Sequence, residues 1–433
     1  MGYARIPHVL TAPIDQTPAP VDDSDEPAIR GSGEKARTRP LRLMYAAGPG
    51  DVIGTYRHWH EGRDDPGQVA MTYSGQFYDV CRDLGAKGYV LASHPRRETV
   101  RDGDFRVEHR TIPFIAARAP LYHLGQFWMG IRLSLAALRF GADALVICDG
   151  TAHWFALRML PRLGVRVIPT LHCMLWRKSA PQPGRVQRII RRLDRAFWKK
   201  SAPRILSAST DIVRQLDELT AGAHAPVIEF LPTYRPGTFA ENPDPPESRT
   251  PFRVLFAGRI ERYKGVFDLL EIAKRFAEKK VEIEFDLCGM GSHFEELKRE
   301  TERAGLTSRF RLHGHLSRPQ MREMFRECHV LVVPTTTDFI EGFNQVVVEG
   351  VLAGRPVITS NVCPAIEYVR DAVVEVPPND VAAYQQAIER LHHDRELYEQ
   401  KRRACGALQS QFYDPARGWA ASLRRAIAEC ALG

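Results

Sequence analysis

From residue 41 onward, short apolar runs alternate with longer stretches of helical spacing. Residues 41–47, L-R-L-M-Y-A-A, read as a buried strand that runs into Gly48-Pro49-Gly50, with Gly54 close behind. A helix is predicted over about 72–85, a strand over 89–92 and a long apolar helix over 121–140. Strands at 144–148, 165–170 and 204–208 follow, then a helix from about 211. Strand–helix alternation of this kind implies a parallel sheet covered by helices. A strand ending in glycines is how Rossmann-type halves begin.

Between 232 and 251 the pattern breaks, and six prolines and a glycine mark a linker. It then restarts. Strands are predicted at 253–258, 283–288, 310–314, 329–334 and 355–360, with helices over 265–279, after Gly291, over 346–352 and over 419–432. The expected fold class is α/β with two Rossmann-like domains. Residues 1–40 lack periodicity and read as a disordered leader. The N-terminal domain is expected over 41–232, the linker over 233–252, the C-terminal domain over 253–400 and a terminal stretch over 401–433.

The chain has 433 residues, 44% apolar and 26% charged, ordinary for globular domains. No run reaches the ~20 apolar residues of a membrane-spanning helix; Arg132 and Arg139 interrupt the richest candidate, and the start has no signal-peptide core. A cytoplasmic location is expected. The eight cysteines are widely and irregularly spaced, which argues against zinc and disulfide frameworks and for reduced, buried thiols. A net charge of +8 suits an anionic partner: nucleotide phosphates, an acidic lipid surface or nucleic acid.

In open parallel sheets ligands bind beyond the carboxyl ends of strands. Two clusters stand there in the second half. Gly258-Arg259-Ile260-Glu261-Arg262-Tyr263-Lys264-Gly265 places two cations on one loop before a helix start, a combination suited to a diphosphate and equally available to a solvated loop. In Glu341-Gly342-Phe343-Asn344-Gln345-Val346-Val347-Val348-Glu349, two carboxylates flank a glycine turn and a helix start. A lone carboxylate there is also a plain helix cap. In the first half, the strand ends carry 48–54, Asp149-Gly150 and His172.

The string E-G-F-N-Q-V-V-V-E-G-V-L-A-G-R-P-V-I-T-S resembles the E-x7-E donor-site signature of the family 4 retaining glycosyltransferases, of GT-B architecture. F-A-G-R-I-E-R-Y-K-G is similar to that family's G-R-x-x-x-x-K-G loop, and C-G-M-G-S, L-H-G-H-L-S and H-V-L-V-V-P fit its other blocks in order. The resemblance covers residues 253–395 well and 40–232 loosely. It implies two domains facing each other across a cleft, and transfer of a hexosyl group from a nucleotide-diphosphate sugar to a glycan or lipid-linked acceptor with retention. By resemblance, Arg259 and Lys264 hold the diphosphate, with Gly258 and Gly289 in the adjoining turns. Glu349 binds the ribose, and Gly314 and Leu316 lie near the base. Glu341, with the Phe343 and Asn344 amides, addresses the sugar. His172 lies beside the transferred sugar, and Gly48 and Gly50 line the acceptor side. The stretch F-Y-D-P-A-R-G-W-A resembles the helix that crosses back to the first domain. Asn344 stands where the family often has glycine, and 361–365 lacks its usual double glycine.

No cofactor and no metal are expected, the nucleotide sugar being a substrate; Asp102-Gly103-Asp104 matches a metal-binding D-x-D only formally. Residues 55–67 match no family block and read as an acceptor loop or a decorated connection. Seven of the sixteen residues over 185–200 are Lys or Arg at helical spacing, with Val186, Ile189, Ile190, Leu193 and Phe197 as the apolar face. This is a basic amphipathic helix, either lying on an anionic membrane or packed on the core. Nucleic acid is not expected, because aromatic residues do not interleave with this stretch. The rival readings are a nicotinamide-dependent oxidoreductase, from the glycines at 48, 50 and 54, and a non-catalytic binding protein of the same shape.

Overall fold

A computed structural model describes residues 39–111, 119–178, 184–239, 244–245 and 248–431; the leader over 1–38 lies outside them. Eight strands form the first sheet: β1 (Arg42–Pro49), β2 (Lys87–Ser93), β3 (Glu98–Asp102), β4 (Phe105–Arg110), β5 (Ala144–Cys148), β6 (Arg166–Leu171), β7 (Ile205–Ser207) and β8 (Val227–Glu229). Their order is β3-β4-β2-β1-β5-β6-β7-β8, parallel throughout except for the β3–β4 hairpin at one edge. The second sheet holds β9 (Phe252–Ala257), β10 (Ile283–Cys288), β11 (Phe310–Gly314), β12 (Val330–Val333), β13 (Val357–Thr359) and β14 (Val373–Glu375). It runs β11-β10-β9-β12-β13-β14, all parallel. Central strands are covered on both faces, so they read as unbroken apolar runs; all five residues of β5 are buried.

Strand order reverses at β1/β5 in one sheet and at β9/β12 in the other. These switch points open the crevices where open parallel sheets take ligands. The C-terminal helix Trp419–Ala431 packs on the first sheet. Its Trp419 indole donates to Thr170 Oγ1 at 2.8 Å, its Ala420 amide donates to Gln76 Oε1 at 3.0 Å, and Glu429 pairs with Arg204 at 2.5 Å.

Four features alter or sharpen the sequence expectation. The stretch from 55 begins inside a helix, Val52–His60, started by Asp51, which accepts from the Gly54 amide at 2.7 Å. Asp102-Gly103-Asp104 is the turn of the β3–β4 hairpin, with Gly103 at φ +52° and Asp102 accepting from Tyr56. The proline-rich stretch is packed where it starts, for Thr233, Tyr234, Thr238 and Phe239 are buried and the Met71 amide donates to the Thr233 carbonyl. On the helix Arg185–Lys200, Phe197 and Trp198 are buried, while Val186, Ile189 and Leu193 face outward. Seven of the eight cysteines are buried thiols and Cys173 is exposed.

Candidate active site

The loops after β9, β10 and β11 lie side by side because their glycines have no Cβ. A Cβ on Gly289 would fall 1.9 Å from the Gly258 carbonyl oxygen. Gly258 donates to the Cys288 carbonyl and Gly289 to the Gly314 carbonyl, at 2.9 and 2.7 Å. Leu316, half-buried, packs on the core just beyond Gly314. On this floor, Arg259 is exposed and Lys264 is half-buried. Both cations rest on a stacked pair from two loops, Tyr263 and Phe339, whose rings are 4.5 Å apart. The Arg259 guanidinium lies 5.5 and 5.4 Å from the two ring centroids, and Lys264 Nζ lies 4.4 Å from that of Phe339. This cation–π seat was invisible in the sequence, since Phe339 belongs to no motif quoted for the loop.

Lys264 Nζ forms an ion pair with Glu341 Oε1, and both side chains are largely withdrawn from solvent. Thr335 Oγ1 and Asn344 Nδ2 donate to the same oxygen at 3.1 and 3.3 Å. Asn344 adopts φ +74°, the left-handed conformation that favours glycine and that asparagine tolerates better than most residues. It precedes the helix Gln345–Leu352, whose first amides have no side-chain cap. Phe343 is buried against Tyr368, ring centroids 5.3 Å apart, and its carbonyl accepts from Ala365. The turn over 361–365 therefore holds this loop without a double glycine. Glu349 sits further along the same helix beside Tyr234, where burial pushes its carboxyl up to about 7.

Across the cleft, His172 follows β6. Its Nε2 meets Thr170 Oγ1 at 3.0 Å, and Nδ1 is buried with no partner among the described residues. Tyr73 packs against the imidazole, centroids 4.2 Å apart, and burial lowers the His172 pKa to about 3. The ring is thus neutral at ordinary pH and serves as a hydrogen-bonding group, not a cation. Asp149, after β5, accepts from the His172 and Cys173 amides at 3.0 and 2.8 Å; burial raises its carboxyl to about 6. Tyr73 and Asp149 complete the histidine's setting, and only Asp149's place at a strand end hinted at this.

The two halves meet at Gly342. A Cβ there would stand 1.4 Å from the His172 carbonyl oxygen. The Met174 amide approaches the Glu341 carbonyl at 3.4 Å, and Gln345 reaches Tyr73 Oη at 3.4 Å. The structure therefore brings Lys264, Glu341 and Asn344 to the His172 loop, leaving Arg259 at the open rim. Beside His172 lies a cavity of about 590 Å³ that includes Gly48, Gly50, Asp149, His58, Asp65 and Gln68. Residues from the unassigned 55–67 stretch thus line it. The nicotinamide reading fits poorly here: the helix start after Gly50 is already occupied by the Asp51 carboxylate, which would repel a pyrophosphate.

Residues 239–406 match the family model described as glycosyl transferases group 1. The chain is 30% identical over 108 residues to the 2-deoxystreptamine N-acetyl-D-glucosaminyltransferase of Niallia circulans, covering 25% of this chain and 27% of that relative. It is 29% identical over 138 residues to the D-inositol 3-phosphate glycosyltransferase of Arthrobacter sp. (strain FB24), covering 31% of each. The chain spans less than a third of the length of these curated relatives. Among solved structures, HepE from Anabaena in complex with UDP aligns with a TM-score of 0.61 at 15% identity, over 90% of this chain and 99% of that one. Sucrose-phosphate synthase from Thermosynechococcus elongatus aligns at 0.64 and 15% identity, over 90% and 99%. At such identities the likeness concerns the fold: two parallel-sheet domains of GT-B type.

Proposed function

We propose that this protein is a retaining glycosyltransferase of family 4 that moves a hexosyl group from a nucleotide-diphosphate sugar to a glycan or lipid-linked acceptor, without a metal, in the cytoplasm or at the inner face of a membrane. The observation that carries the reading is the convergence of Lys264, Glu341 and His172 at the contact between the two domains. The match of 239–406 to group 1 glycosyl transferases and the UDP held by a structure of the same fold support a sugar-nucleotide donor.

The chemistry follows from the charges. The departing nucleoside diphosphate is anionic, and Arg259, Lys264 and the uncapped start of the helix Gln345–Leu352 are the groups that stabilise it. Seated on the Tyr263–Phe339 stack, the two cations lose little freedom on binding. The sugar passes through an oxocarbenium-like state. His172 Nδ1, unpartnered among the described residues, is free to hydrogen-bond a sugar hydroxyl, while Glu341 holds the sugar from the other side. Glu349 takes the ribose hydroxyls. The cavity lined by Gly48, Gly50, His58 and Asp65 takes the acceptor. The test incubates the protein with sugar nucleotides and candidate acceptors in EDTA and reads the product anomer by NMR. Retention without metal is expected; an inverted product, or activity abolished by EDTA and restored by a divalent ion, overturns those parts of the reading.

A further inference from the structure

Of the thirteen described large apolar side chains that are strongly exposed, eleven lie in three segments of the N-terminal half: the helix Ala119–Phe140, the 3-10 turns over 154–163 and the helix Arg185–Lys200. On the first helix, Leu121, Leu124, Trp128, Leu135 and Leu138 are 37–56% exposed and recur at helical spacing. They form an outward apolar stripe roughly 25 Å long, at 1.5 Å per residue. On the second, Val186, Ile189 and Leu193 form a shorter one, 41–60% exposed. The turn Trp154–Leu157 ties the two helices together. Phe155 stacks on Phe127 and His153 on His123, while Trp154 packs on Phe197 and Trp198.

Charge selects the occupant. The three segments carry eleven Lys and Arg residues and one acid, Asp194, which is buried. Past the middle of the first helix lies a cavity of about 650 Å³ lined by Arg42, Lys87, Arg106, Arg110, Arg132 and Arg139, with Glu108 as its one carboxylate among the described residues. Glu108 is already engaged by Arg106, Arg110 and Tyr89. Arg132 and Arg139 are paired with no acid among the described residues. Leu135, a member of the apolar stripe, lines the same cavity. A second copy of this chain would meet like charge, and a nucleic acid would leave the apolar stripes uncovered. A surface that is anionic outside and hydrocarbon beneath satisfies both features.

We propose that this face docks on an anionic lipid bilayer, with the two stripes entering the boundary between headgroups and acyl chains and the basic cavity receiving lipid phosphate. The docking stands on these residues alone. Delivery of a bilayer-resident acceptor to the cleft rests on the transferase reading. A cavity of about 580 Å³ lined both by Ile190 and Arg191 of the docking helix and by Ile340, the neighbour of Glu341, offers the connection.

The experiment is co-flotation of the full chain with vesicles of phosphatidylcholine alone or containing phosphatidylglycerol, with glycerol phosphate or duplex DNA as competitors. UDP-induced thermal stabilisation is read on the same samples. Wild type should float with the anionic vesicles, more weakly at high salt, and resist glycerol phosphate. Trp128→Ser with Ile189→Ser, both exposed, should weaken flotation roughly tenfold or more. Arg132→Ala and Arg139→Ala should each weaken it about fivefold. All variants should keep the UDP response of wild type. Equal binding to neutral vesicles, unchanged flotation of the Trp128→Ser/Ile189→Ser variant, or displacement by glycerol phosphate or DNA would overturn the proposal. Intact flotation without any UDP response would leave the docking standing and count against the transferase reading.

Discussion

Replacing Gly342 by alanine tests how the two halves of the site are joined. The added Cβ would lie 1.4 Å from the His172 carbonyl oxygen, 2.4 Å from its carbonyl carbon and 2.9 Å from Cys173 Cα. These are backbone atoms that cannot rotate away, and the His172 and Cys173 amides are bound to Asp149. Ordinary contact needs about 3.5 Å, so the Glu341 loop and the His172 loop must part by roughly 2 Å. Misplacement by even ~1 Å can cost on the order of a hundredfold in rate. Gly342→Ala should therefore lower kcat for glycosyl transfer, or for donor hydrolysis, by about a hundredfold or more. The affinity for nucleoside diphosphate should fall less than kcat, because Arg259 and the glycine turns below it stay in place while the start of the helix Gln345–Leu352 shifts with the Glu341 loop. Steady-state kinetics with titration calorimetry separates the two effects. A variant that keeps kcat within about threefold of wild type would refute the claim that catalysis uses groups from both loops at this separation.

Lys264→Ala leaves the Glu341 carboxylate withdrawn from solvent without its cation, so it should cost about 3 kcal/mol of stability in chemical denaturation. The double variant Lys264→Ala/Glu341→Gln should recover most of that loss, and failure to recover would mean the pair is not coupled. Thr170→Val removes the hydroxyl that meets His172 Nε2 and accepts from Trp419; kcat should fall roughly tenfold with nucleotide affinity unchanged. Burial pushes the Asp194 carboxyl up to about 7. An acid raised in the folded state contributes stability that is complete below the unfolded value near 4 and is lost as pH rises through the folded one. Relative to Asp194→Asn, wild type should lose about 1.4 kcal/mol per pH unit between pH 4 and 7 in urea titrations. Parallel pH profiles for the two would contradict the assignment.

Ten of the fourteen described strands were legible because parallel strands buried on two faces are continuous apolar runs, as in Ala144–Cys148 and Val330–Val333, whereas Val227–Glu229 and Val373–Glu375 are only three residues long and show no such run. The hairpin Glu98–Arg110 was missed because its exposed edge carries few apolar residues. Its two-residue Gly103-Asp104 loop is itself a hairpin signal, hidden by the D-x-D spacing. The helix Val52–His60 was missed for a related reason: four of its nine residues are buried, among basic and aromatic neighbours, yet Asp51 three residues before Gly54 is a capping pattern. In the site, the cations and carboxylates stood out by spacing on their own loops. What joins them is non-local. Phe339 stacks under both cations, Tyr234 reaches Glu349, and Gly342 is pressed on a histidine loop about 170 residues earlier, contacts that no local pattern encodes.

The proposed transfer stands or falls on Arg259 and Lys264 as the seat of a nucleoside diphosphate. Thermal unfolding of the protein with UDP, GDP, ADP and NAD(P)H reads that seat, because a ligand bound only by the folded state stabilises it by about 2.7 kcal/mol at a hundredfold excess over its Kd. One nucleoside diphosphate should raise the melting temperature, and Arg259→Ala, whose exposed side chain makes it harmless to folding, should abolish the shift. A shift with NAD(P)H and none with any nucleoside diphosphate, or a shift that survives in Arg259→Ala and Lys264→Ala alike, would contradict it.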